Sequence, residues 1–178
     1  IEHILIGFDH LLFVACLVYI SGTRKKLLLT ITGFTVAHSI TLILAATDVL
    51  TIPIPPVEAV IALSIVFLAW EIAKNNKESL SLRYPVLVSS SFGLLHGFGF
   101  ASVLTDIGLP EGEKILALIC FNIGVEIGQL IFVTLLIGVF YLLAKVYKPL
   151  SLDRMRFPVS YFCGTLASFW VLERLVAF

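Results

Sequence analysis

Residues 114–144 read KILALICFNIGVEIGQLIFVTLLIGVFYLLA, and only Lys114 and Glu126 in that run are charged. So long an apolar run without period-2 alternation is a helix rather than a strand. It exceeds the ~20 residues that cross a bilayer. Five further apolar stretches share its character, at about 1–20, 27–47, 55–73, 85–105 and 157–177. Turn chemistry separates them: Ser21-Gly22, Pro53 to Pro56, Asn75-Asn76, Gly108-Leu109-Pro110 and Lys148-Pro149. The expected fold is all-α, a polytopic bundle of six transmembrane helices forming a single transmembrane domain over residues 1–178.

Composition agrees. Of 178 residues, 59% are hydrophobic and 13% charged, and the mean hydropathy is +1.05. Soluble domains are about 25% charged, so a disordered chain is excluded and a water-soluble globule is not expected. Twelve basic residues balance twelve acidic ones. No basic footprint for nucleic acid is present. Cys16, Cys120 and Cys163 form no CxxC pattern and read as small packing residues. The chain starts at Ile1, and an extracytoplasmic segment before it is expected.

The charges between stretches give an independent test of the count. Arg24, Lys25 and Lys26 follow the first; Lys74, Lys77 and Arg83 follow the third; Lys145, Lys148, Arg154 and Arg156 follow the fifth. All lie on one side of a six-span bundle. The other side keeps Lys114 and Arg174, with Asp48, Asp106, Glu111 and Glu113. The positive-inside rule puts both termini outside the cytoplasm. Small residues recur every fourth position at Gly93 and Gly97, Gly124 and Gly128, and Ser160, Gly164 and Ser168, a spacing that lets helices approach closely in lipid.

The polar residues inside the stretches are the informative ones: His3, Asp9, His10, His38, His96, Asn122, Glu126 and Gln129. Ionisable groups in hydrocarbon are costly and usually face an interior or cavity. A rise of 1.5 Å per residue places Asp9, His10, His38, His96 and Asn122 roughly 12–15 Å below the outer surface, and Glu126 roughly 18 Å. Imidazole and carboxylate together are the ligand set of zinc, nickel and copper, which the pattern does not distinguish. The candidate metal ligands are therefore Asp9, His10, His38, His96 and Glu126, with His3 as a shallower capture ligand. Asn122, Glu126 and Gln129 form one stripe by their i, i+4, i+7 spacing. Ser39, Asn122 and Gln129 would support the ligands from behind. Glu58 and Glu71 lie near the ends of the third stretch, and Glu71 reads as structural.

Four motifs resemble those of a known family. His3-Ile-Leu-Ile-Gly7-Phe-Asp9-His10-Leu-Leu-Phe13 is similar to the first-helix signature of the HupE/UreJ family of bacterial membrane proteins. Phe34-Thr-Val-Ala-His38-Ser39-Ile-Thr41-Leu, Phe92-Gly-Leu-Leu-His96-Gly-Phe-Gly-Phe-Ala101 and Phe121-Asn122-Ile-Gly-Val-Glu126-Ile-Gly-Gln129 also resemble that family. The resemblance implies a multi-pass protein of the bacterial inner membrane, associated with nickel supply or with metal handling more broadly. Hydrogenase-linked members typically open with His-Pro, where this chain reads Glu2-His3-Ile4. The resemblance therefore supports a metal site more than a particular metal.

Three functions fit these residues. The first is transport or handling of a divalent, nickel-type ion. The second is an intramembrane zinc-dependent hydrolase acting on a lipid, lipoprotein or peptide, with Glu126 or Asp9 as general base and Ser39 as an alternative nucleophile. Against it, no HExxH motif is present. The third is an accessory subunit whose polar groups only pack. The expected partners are the bilayer and the metal ion, with a homo-oligomer or membrane partner left open and nucleic acid excluded.

Overall fold

The computed structural model describes residues 7–76, 78–107, 114–146 and 152–176, without the side chains of 101–107 and 152–153. His3, Lys77, Glu111, Glu113, Lys148, the Gly108-Leu109-Pro110 turn and the Lys148-Pro149 turn lie outside the described residues, as does the side chain of Asp106.

Seven helices and no strand are present among the described residues: α1 Phe8–Ser21, α2 Arg24–Ala46, α3 Ile54–Lys74, α4 Leu80–Arg83, α5 Pro85–Ile107, α6 Lys114–Val146 and α7 Leu152–Val176. Their ends follow local chemistry. Gly22 ends α1 in the left-handed conformation at φ 65°, the usual glycine stop. Thr23 then caps α2, its side chain accepting from the Lys26 amide at 3.3 Å. The basic triplet expected in a loop thus forms the first turn of α2. Prolines open α3 and α5, where a missing N–H costs nothing.

Helices α2, α3 and α6 are long and apolar enough to cross a membrane; α1 and the described part of α5 are shorter apolar helices. The short α4 was not expected. Glu71, buried near the end of α3, fixes it by accepting from the Ser81 amide at 3.2 Å and the Ser81 hydroxyl at 2.6 Å.

Helix α1 is the hub, since it touches every other described helix. Phe13, Cys16 and Leu17 of α1 pack with Phe34 of α2, Ile65 and Leu68 of α3 and Ala167 of α7 in one buried cluster. Cys16 and Cys163 meet there thiol to thiol, unoxidised. Helices α2 and α5 approach through glycine. A Cβ on Gly93 would strike the Phe34 carbonyl, and one on Gly97 would strike Thr41 Oγ1 and the His38 carbonyl. Gly164 of α7 likewise faces Ala69 of α3. These small residues work within the chain. Among the described residues helix α6 packs on α1 and α2 and, through Phe121 stacked on Phe100 at 4.7 Å, on α5, and it leaves Ile119, Ile123, Ile127 and Ile131 exposed. A monomer in water would rarely tolerate such an apolar face, whereas lipid suits it.

Candidate metal centre

The centre is built from helix positions distant in sequence. His10 comes from α1, His38 from α2, His96 from α5, and Asn122, Glu126 and Gln129 from α6. His10, His38, His96, Asn122 and Gln129 are all buried.

His10 and His96 meet edge to face, with ring centroids 5.1 Å apart. Two imidazoles on one tetrahedral ion, with metal–nitrogen bonds of about 2.1 Å, would have centroids roughly 5 Å apart. Phe13 packs 4.9 Å from His96, and Phe34 packs 5.1 Å from it. Phe34 also stacks on His38 at 5.9 Å. Asp9, His10, His38 and Arg174 all act electrostatically on His96, and Glu126 is not among these groups.

Hydrogen bonding orients the rings. Asp9 Oδ1 accepts from His10 Nδ1 at 3.0 Å. Asn122 Oδ1 accepts from His38 Nδ1 at 3.0 Å; its amide is held that way round because Nδ2 donates to the Leu118 carbonyl at 2.8 Å. Ser64 donates its proton to the Ile61 carbonyl at 2.6 Å and so faces His96 Nε2, 3.5 Å away, as an acceptor. A neutral imidazole with one nitrogen donating carries its lone pair on the other. The lone pairs therefore lie on His10 Nε2, His38 Nε2 and His96 Nδ1. His96 Nδ1 is buried and has no hydrogen-bond partner among the described residues. Carboxylate or amide behind imidazole is the arrangement that orients metal-binding histidines.

The α6 stripe faces α2 along its length. Asn122 meets His38; Gln129 Oε1 accepts from Thr35 Oγ1 at 3.2 Å; Glu126 Oε1 accepts from Thr32 Oγ1 at 2.7 Å. Ser39 donates to the Thr35 carbonyl at 2.6 Å and is tied to its own helix. Among the described residues, no three His, Cys, Asp or Glu side chains stand together so as to hold one ion.

Arg174 was not anticipated at the centre. It donates to Asp9 Oδ2 at 3.1 Å and to the Glu58 carbonyl at 2.7 Å. One signal for it was legible: Arg174 is one of two cations assigned to the Asp9 side of the bundle. Nothing local in the sequence marked Ser64.

A family model described as HupE / UreJ protein matches residues 1–174. The chain belongs to the HupE/UreJ family. No curated protein and no solved structure matches. Membership makes this HupE/UreJ chain a membrane protein and points to metal handling, nickel in particular. The four motifs that carry the resemblance in sequence supply the His10–His96 contact, the Asp9–His10 and His38–Asn122 pairs and the partners of Thr35 and Thr32, Gln129 and Glu126.

Proposed function

We propose that this protein handles a divalent transition metal ion of the nickel type as its cargo, passing it through the centre of a six-span bundle. The two termini face away from the cytoplasm in this reading, and the membrane is the bacterial inner membrane. The loop charges support that orientation.

The observation that carries the reading is the His10–His96 contact at 5.1 Å. His10 Nε2 and His96 Nδ1 supply two ligands, and Asp9 holds the first ring in place. His38 supplies a neighbouring station, oriented by Asn122. His3 would capture the ion at the entrance. Two stations of few ligands suit cargo that must leave again, whereas a closed four-ligand cage suits a resident structural ion. From His38 the buried pair Thr35–Gln129 continues along the α2–α6 contact toward the basic end, and Thr32–Glu126 follows at its exposed edge. Thr32 is six residues from His38, about 9 Å along α2.

The test is metal analysis of the purified protein combined with uptake into proteoliposomes. Bound nickel or zinc, with flux abolished by His96→Ala, is expected. Bound metal without flux would overturn transport. Metal content unchanged by both His10→Ala and His96→Ala would overturn the site.

A further inference from the structure

Helices α6 and α7 follow one another in the chain yet do not pack together among the described residues. Between them, floored by α1, lies a groove with a cavity of about 340 Å³. That volume is at the lower end of small-molecule sites. Val18 and Tyr19 of α1, Leu27 of α2, Leu136 and Phe140 of α6 and Met155 of α7 line it. Arg24 lines it too, at the end formed by the α1–α2 turn, and no other charged side chain does so among the described residues.

Charge is concentrated at that end. Lys25 and Lys26 follow Arg24 in the first turn of α2, which contains no acidic residue. None of the three is in an ion pair among the described residues. Arg154 and Arg156 flank Met155. A small water-soluble anion would meet mostly apolar side chains along the rest of the groove, Tyr19 and Thr23 being the polar exceptions. A purely apolar molecule would leave Arg24, Lys25 and Lys26 without a counter-charge. An anionic amphiphile satisfies both parts.

We propose that the groove binds an anionic phospholipid, its acyl chain between α6 and α7 and its phosphate on Arg24 and the adjoining lysines. The lipid fills the gap that α7 leaves beside α6 and braces α6 against α1. The bilayer itself supplies the ligand.

Native mass spectrometry of the purified full chain tests this, with phosphatidylglycerol or phosphatidylcholine of the same acyl chains at equal concentration. Phosphatidylglycerol is retained several-fold better by the wild type. Arg24→Gln lowers that retention about fivefold, the worth of one cation near an anionic lipid. Ala15→Phe, which fills the groove, lowers it as well. Equal retention of the two lipids, or retention unchanged in both variants, would overturn the proposal. A second measurement needs no variant. Phosphatidylglycerol carrying a photoreactive acyl chain labels residues 15–27, 136–140 and 155–159 of the wild type; labelling spread evenly over the outer faces of the helices would overturn it equally.

Discussion

Arg174 Nη2 lies 3.1 Å from Asp9 Oδ2, tying the last turn of α7 to the first turn of α1 next to His10. The same guanidinium holds the Glu58 carbonyl of α3 at 2.7 Å. Asp9 therefore has one oxygen on a cation and the other on His10. Its carboxylate is already engaged from both sides, which makes it an anchor for the ring more than a free ligand.

Breaking this pair should cost stability. Charge-assisted hydrogen bonds are worth about 1.5–3 kcal/mol. A double-mutant cycle with Arg174→Gln and Asp9→Asn should give a coupling energy of that order in thermal unfolding in detergent. Additive effects of the two changes would show the contact to be energetically idle.

Asn122 should act on metal through His38. Asn122→Leu removes the acceptor on Nδ1 and frees the ring to turn, and changes of this kind cost 10–100-fold in metal affinity. Asn122→Asp keeps an acceptor and should retain most binding. Isothermal titration of nickel into the two variants distinguishes orientation from bulk, since a purely steric role would not separate them.

Gly97 should tolerate no side chain. The Cβ of Gly97→Ala would meet the His38 carbonyl and Thr41 Oγ1, and overpacking of this kind costs about 1–3 kcal/mol. It would also push α5, with His96, away from α2. Gly138 is the matched control, because a Cβ there meets nothing within 4 Å. Gly138→Ala should be neutral or stabilising by about 0.5–1 kcal/mol. Melting temperatures of the two variants should move in opposite directions, or only the first should fall.

Glu126 should separate passage from capture. Its carboxylate pairs with Thr32 rather than with a histidine. Glu126→Gln should leave equilibrium metal content near wild type and slow uptake into proteoliposomes severalfold. Loss of bound metal in this variant would move Glu126 into the capture site.

Glu71 should govern α4 alone. Glu71→Ala removes the one oxygen, Oε2, that accepts from both the Ser81 amide and the Ser81 hydroxyl. Amide exchange should accelerate across residues 79–84, while the core amides of α1 stay protected.

Much of the helical content was legible because a 20-residue apolar run leaves the backbone no partner but itself. The stripe of Asn122, Glu126 and Gln129 was legible for the same reason, since helix periodicity fixes its face. What those residues touch was not legible. The pairing of Asn122 with His38 and of Glu126 with Thr32 depends on how α6 slides along α2, and no local pattern encodes that register. Arg174 was hidden by its position near a span end, where a cation ordinarily reaches water. The four residues of α4 carry too little periodicity to announce a helix. The meeting of Cys16 and Cys163 arises only from the packing of α1 against α3 and α7.

Helix α6 carries half of the polar ladder and is held, among the described residues, by α1 and α2 and by the Phe100 ring of α5 against Phe121. Its 33 residues make a rod about 50 Å long, against a hydrocarbon core of ~30 Å. A rod that overhangs its slab must lean, and the angle is set by the slab's thickness. Leaning α6 against a fixed α2 slides Asn122, Gln129 and Glu126 past His38, Thr35 and Thr32. The surrounding lipid's chain length thereby becomes a mechanical input to the ladder, acting on its alignment without touching any of its side chains.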